Sequence, residues 1–227
     1  RPSLVRSDFF VARALEKFIG RALREHTHGG MLVADVGCGE QPWRALVEHL
    51  GARYVGTDVE QNAAGSVALR CAADRLPLRD ASADLVLCTE VLEHVPDPGQ
   101  ALREVRRVLR PGGVAIVSTP FLYPLHEEPW DFQRLTRHQL ERLVRQVGLA
   151  PVTLATAGNE VEVWATLWDR FWSDVLPPAL GPIRTLMLAT FRAGANLLAA
   201  ALSALAGRRL ARRAYLSNLA VLRAPAP

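Results

Sequence analysis

Three observations predict an α/β fold with a mostly parallel sheet covered by helices on both faces. Short apolar runs alternate with amphipathic stretches through the first 158 residues. The runs MLVADVG, ADLVLCTEV and VAIVSTP are apolar almost throughout, as in strands buried on both sides, rather than alternating. Several runs also finish on polar or acidic residues, as expected at the ligand-side ends of parallel strands.

The elements follow in order. Phe10, Ala14, Phe18 and Leu23 recur at helical spacing, which predicts a helix from Ser7 to about Arg24 with Ser7 or Asp8 as its cap. MLVADVG is a strand that stops at a glycine turn. QPWRALVEHLG then reads as a helix with Pro42 in its first turn and Gly51 as its stop. RYVGTDVE, SVALRCAAD and ADLVLCTEV are the second to fourth strands. In DPGQALREVRRVLRPGG, Ala101, Leu102, Val105, Val108 and Leu109 form one stripe, Asp97 is the cap, and Pro111-Gly112-Gly113 is the predicted terminator. The arginines Arg103, Arg106, Arg107 and Arg110 read as its solvated face. VAIVSTP is the fifth strand. A polar and aromatic loop then leads to a helix from Thr136 to Gln146.

With 49% hydrophobic and 22% charged residues among 227, the chain is globular and large enough for a full core. Its net charge is +4, a surplus matched by Arg208, Arg209, Arg212 and Arg213 alone. A nucleic-acid binder would spread such charge over a groove, so nucleic acid is not the expected partner. Cys38, Cys71 and Cys88 show no metal-ligand spacing, and no metal is expected. Free thiols and the lack of a continuous apolar leader in the first residues point to the cytoplasm.

The stretch VADVGCGEQPW poses the cofactor question. Gly37 and Gly39 permit a tight turn close to a ligand, but Pro42 stands where a dinucleotide fingerprint needs its third glycine. Asp58 ends the second strand, where a carboxylate suits the two hydroxyls of a ribose. Ala73 and Asp74 follow the third strand and could meet an adenine edge; Thr89 and Glu90 end the fourth.

In this order, DVGCG, GTD and AADRLPLRDASADLVLCTEVLEHVPDPGQALREVRRVLRPGGVAIVSTP resemble a class I S-adenosylmethionine-dependent methyltransferase of the small-molecule, LEHV-bearing branch. The likeness runs from Met31 to Ala157. It implies a Rossmann-like, seven-stranded, mostly parallel sheet whose antiparallel last strand would be YLSNLAVLRAP. It implies S-adenosylmethionine as cofactor, with Asp35, Gly37, Cys38 and Gly39 around the methionine part and Asp58 on the ribose. Val59 would pack on the adenine, Asp74 would face its amino group beside Ala73 and Arg75, and Thr89 and Glu90 would line the floor.

For the chemistry, the loop FLYPLHEEPWDFQRLT offers His126 as general base, with Glu127 or Asp131 to orient it and His94 in reserve. An amine acceptor would use the acids of that loop instead. The expected reaction is methylation of a small molecule, with oxygen favoured over nitrogen and carbon; no N/D-P-P-Y/F tetrapeptide follows the fourth strand. The rivals are a non-catalytic S-adenosylmethionine-binding subunit and a nucleotide-dependent reductase.

Residues 1–158 and 214–227 are expected to form the core, and 159–213 an apolar helical insertion. Leu186 to Ala206 is interrupted by one arginine, Arg192. The insertion is expected to act as a lid or to make a homodimer or peripheral membrane contact through 183–213.

Overall fold

The computed structural model describes residues 2–207, 210 and 213–226; Arg208, Arg209 and Arg212 of the basic run lie outside them. The strands are β1 (Leu32–Val36), β2 (Arg53–Asp58), β3 (Leu69–Arg70), β4 (Ala83–Thr89), β5 (Leu109–Pro120), β6 (Ala150–Ala157) and β7 (Ser217–Arg223). They form one sheet in the order β3-β2-β1-β4-β5-β7-β6. Pairing is parallel from β3 through β5, with Val36 of β1 between Thr57 and Cys88. β7 runs antiparallel to β5: Ala224 donates to the Gly113 carbonyl at 2.8 Å, while Phe121 donates to that of Leu216 at 2.7 Å. The strand order therefore reverses beside β1 and β4, which places the ligand-binding crevice at their carboxyl ends.

The helices are α1 (Phe9–His26), α2 (Arg44–His49), α3 (Pro98–Val108), α4 (Arg137–Gln146), α5 (Glu160–Val175) and α6 (Gly181–Ala206). Asp97 caps α3 by accepting from the Gln100 N–H, and Thr136 caps α4 by accepting from that of Gln139. The α3 stripe of Ala101, Leu102, Val105 and Val108 packs with Leu140 and Val144 of α4 against Val86, Cys88, Ala115 and Val117 of the sheet. Each fully buried Val or Leu here is worth about 2 kcal/mol of transfer free energy.

Several boundaries differ from the sequence reading: α2 starts at Arg44 with Trp43 at its cap, so Pro42 precedes the helix instead of standing in its first turn. α3 stops at Val108, because Leu109 is already extended (φ −68°, ψ 132°) and opposite Ala83. Pro111-Gly112-Gly113 thus lies inside β5, where the proline holds Arg110 away from helical geometry. A Cβ on Gly113 would stand 2.9 Å from the Arg110 carbonyl oxygen and 3.0 Å from that of Asp84, so only glycine fits. The third strand shrinks to Leu69–Arg70. β6, not singled out in the sequence, is an edge strand that is mostly solvent-exposed and holds Pro151.

The chain forms two compact units. One comprises Phe18–Pro120, Glu127–Ala155 and the residues from Asn218 on; the other comprises the residues up to Lys17, Phe121–His126 and Thr156–Ser217. In the latter, Phe9, Phe10, Val163, Ala165, Ala199 and Leu216 share a core.

Candidate active site

The glycine turn follows from how β1 ends. Gly37 and Gly39 both take positive φ, +66° and +49°, and a Cβ on Gly37 would come 2.4 Å from Cγ2 of Val91. The turn is fastened to β2 and its following loop. Cys38 N–H donates to the Thr57 carbonyl at 3.0 Å, Gly39 N–H to Oδ2 of Asp58 at 2.9 Å, and Asn62 Nδ2 to the Gly39 carbonyl at 3.0 Å.

Asp35 lies behind this turn and is fully buried. Tyr54 donates its hydroxyl to Oδ2 at 2.6 Å. Desolvation pushes the Asp35 carboxyl up to about 7, the tyrosine hydrogen bond opposing the rise. Asp35 is thus not among the residues that line the surface in front of the turn.

That surface is a cavity of about 260 Å³. Its wall brings together Gly37, Gly39, Asp58, Val59, Ala73, Asp74, Glu90, His94 and Glu127, all candidates from the sequence. Cys71, Ala72, Val91, Val95 and Pro96 complete it and had no individual signal beyond standing next to such residues. Four cofactor-side candidates are not in the wall. Asp35 and Cys38 are buried behind it, Thr89 closes β4 opposite Ser118, and Arg75 lines a neighbouring hollow with Gln100 and Glu104. Trp43 is half-buried and outside the wall, at the cap position of α2.

The loop holding Asp74 is pinned from α3. Glu104 accepts from Leu76 N–H at 2.8 Å, and Arg107 donates to the carbonyls of Leu76 and Leu78 and to Asp80. One of the arginines predicted to be a solvated face therefore anchors the loop.

At the β4 end, Glu90 has a left-handed backbone (φ +54°), and its N–H donates to the Ser118 carbonyl at 3.0 Å. Its Oε1 is buried without a hydrogen-bond partner. Glu93, in the turn Leu92–His94, is fully buried and accepts from Thr119 Oγ1 at 3.3 Å. Burial raises both carboxyls far above the usual carboxylate range, and the charge of Glu90 raises Glu93 further.

His94 sets its Nδ1 3.0 Å from the Trp130 carbonyl oxygen, which accepts from a protonated Nδ1. Nε2 lies 3.7 Å from Glu93 Oε1 and 3.7 Å from Glu127 Oε2. Asp131, a candidate orienting acid, is buried in an ion pair with Arg134. His126 belongs to the other unit, where its ring meets Tyr123 edge-on at 5.5 Å and its Nδ1 lies 3.3 Å from the Pro124 carbonyl oxygen.

Such a wall can accept hydrogen bonds from a diol at Asp58, face an aromatic amine at Asp74, and offer an imidazole and a buried acid at its other end. A methyltransferase-domain family profile matches residues 34–117. An uncharacterised methyltransferase of Mycobacterium sp. (strain KMS) is 40% identical over 106 residues, 43% of this chain and 42% of that protein. The chain thus spans less than half the length of that curated relative. A probable S-adenosylmethionine-dependent methyltransferase of Mycolicibacterium smegmatis is 38% identical over 191 residues, 70% of this chain and 74% of the relative. The solved S-adenosylmethionine-dependent methyltransferase from Mesorhizobium loti shares the fold with a TM-score of 0.59 at 16% identity, over 94% of this chain and 99% of that one. The ordered strand ends, the profile and a relative matched over most of its length lead to one conclusion: the chain belongs to the class I S-adenosylmethionine-dependent methyltransferases, whose cofactor is S-adenosylmethionine.

Proposed function

We propose that the protein transfers the methyl group of S-adenosylmethionine to a small-molecule acceptor, with oxygen as the favoured nucleophile. The observation that carries this reading is the single cavity wall shared by the glycine turn, Asp58, Asp74, Glu90 and His94.

The residues fit the cofactor. Nothing lies within 4 Å of where a Cβ on Gly39 would stand, which leaves the turn's backbone open to a ligand. The unpartnered buried Oε1 of Glu90 suits a cationic group. Asp58 would hold the ribose hydroxyls, the exposed Val59 side chain would cover the adenine, and Asp74 would face its amino group. When bound, S-adenosylmethionine supplies an electrophilic methyl on a sulfonium.

The chain's own part is alignment and proton handling. In-line substitution needs the acceptor atom held opposite the leaving sulfur with water excluded. The Nε2 lone pair of His94 takes the proton of an acceptor hydroxyl, while the Trp130 carbonyl holds Nδ1–H and orients the ring. Glu127 stands beside Nε2 to stabilise the imidazolium that results. His126, the first candidate in the sequence, is the alternative base. The concentration of basic charge in GRRLARR and the lack of an N/D-P-P-Y/F tetrapeptide after the fourth strand support a small acceptor over a nucleic acid.

Isotope-labelled methyl transfer over a panel of hydroxyl, amine and carbon acceptors tests the reading. His94→Ala should lower turnover on the responding hydroxyl acceptor by about 10²- to 10⁴-fold while S-adenosylhomocysteine still binds. Full turnover in that variant moves the base to His126. No labelled product from any acceptor supports the silent-subunit alternative instead.

A further inference from the structure

The hairpin of α5 and α6 is built inside out for water. On α6, Ile183, Leu186, Leu197, Leu198 and Leu205 are exposed, Leu205 by 83%, at spacings that keep them on one helical face. On α5 the exposed side carries Trp164, Trp168 and Phe171, stacked in sequence with ring centroids 5.5 and 5.6 Å apart.

Arg170 and Asp174 are exposed on α5 and pair with each other at 3.6 Å, while other polar side chains of the hairpin turn inward. Arg192 donates to Asp169 Oδ1 at 2.6 Å and to Ser173 Oγ at 2.8 Å. Asn196 Nδ2 donates to the Leu4 carbonyl at 2.8 Å, and Ser203 Oγ to Asn159 Oδ1 at 3.3 Å. Where α5 ends, Arg184 donates to the carbonyls of Leu176 and Ser173, groups that a helix terminus otherwise leaves to water. A surface helix in water turns polar residues outward; in hydrocarbon the arrangement reverses and backbone groups must be satisfied internally.

Length and charge fit the same medium. Pro178–Ala206 is long and apolar enough to cross a membrane, with a mean hydropathy of 1.4 over its most apolar window and only 17% of that window buried. The residues that follow α6, GRRLARR (207–213), hold four arginines and no acid. Each arginine near an anionic leaflet is worth about 1 kcal/mol. Anionic headgroups complement a run of this sign.

We propose that the outer face of the α5–α6 hairpin docks into a phospholipid bilayer with an anionic surface, the arginines after α6 meeting the headgroups. The test is flotation of the full chain with phosphatidylcholine vesicles, with and without phosphatidylglycerol, alongside sedimentation to define the oligomer. Binding to the phosphatidylglycerol vesicles should weaken by about tenfold or more in Arg208→Glu/Arg209→Glu. Leu186→Asp/Leu198→Asp should abolish it while the S-adenosylhomocysteine-induced rise in Tm persists. Should that variant fail to fold, the arginine pair decides alone. The proposal is overturned if the parent stays in the soluble fraction with both vesicle types. A vesicle-indifferent dimer that Leu186→Asp/Leu198→Asp converts to monomer also overturns it, and assigns the face to a second copy.

Discussion

The carboxylate of Asp58 accepts a hydrogen bond from the Gly39 N–H at 2.9 Å, so the end of β2 closes the glycine turn at the end of β1. Its other oxygen lies 3.3 Å from the Glu60 N–H. Asp58 thereby shapes the turn and presents lone pairs to the cavity, and losing it should damage both.

Gly37 should tolerate no side chain. Its positive φ and the 2.4 Å approach to Val91 both penalise a Cβ. Gly37→Ala should cost about 1–3 kcal/mol of stability and remove the S-adenosylhomocysteine-induced rise in Tm. Trimming the obstacle in Gly37→Ala/Val91→Ala should recover part of the stability, as read by urea unfolding; an unperturbed single variant would contradict the packing described.

Asp35 predicts a pH dependence. Its folded carboxyl is raised to about 7 from an unfolded value of 3.8, so the folded state holds the extra proton. Stability from this group is complete below the unfolded value and declines as pH rises through about 7, at up to about 1.4 kcal/mol per pH unit. Asp35→Asn keeps a partner for the Tyr54 hydroxyl and lacks the slope. Its stability relative to the parent should therefore improve between pH 5 and pH 7.5 in paired urea titrations; a constant difference would count against the buried carboxyl.

Glu90 should distinguish the two forms of the cofactor by charge. Burial raises its carboxyl, and a sulfonium in the same cavity would favour the carboxylate and release a proton. Uncharged S-adenosylhomocysteine would not. The affinity ratio of S-adenosylmethionine to S-adenosylhomocysteine should rise from pH 5 to about pH 7, by up to about tenfold per unit, and level off above that, and Glu90→Gln should flatten it. Calorimetric titration at three pH values reads the ratio; a flat parent places Glu90 away from the sulfonium.

Much of the sheet and the cofactor side was legible because strand ends and acids are local signals. Asp35, Asp58, Asp74 and Glu90 each terminate or follow an apolar run, and three of the four share one wall. Asp35 stands behind the turn because side chains alternate along β1, and its inward direction depends on Tyr54 of the neighbouring strand. What escaped the sequence was set by tertiary contacts. The early start of β5 depends on the pairing of Leu109 with Ala83, 26 residues away, and the anchoring role of Arg107 depends on Leu76 and Leu78 coming back to α3. β6 escaped because an exposed edge strand carries no apolar run. The imidazoles could be named from sequence, but which one stands in the cavity wall is a matter of loop conformation.

Thermal unfolding of the parent and of Asp58→Ala, each with S-adenosylhomocysteine and with NAD, is the most direct measurement. The parent's Tm should rise with S-adenosylhomocysteine and not with NAD, and Asp58→Ala should lose the rise. A parent that does not respond to S-adenosylhomocysteine, or that responds equally to NAD, would contradict the cofactor site described for this cavity.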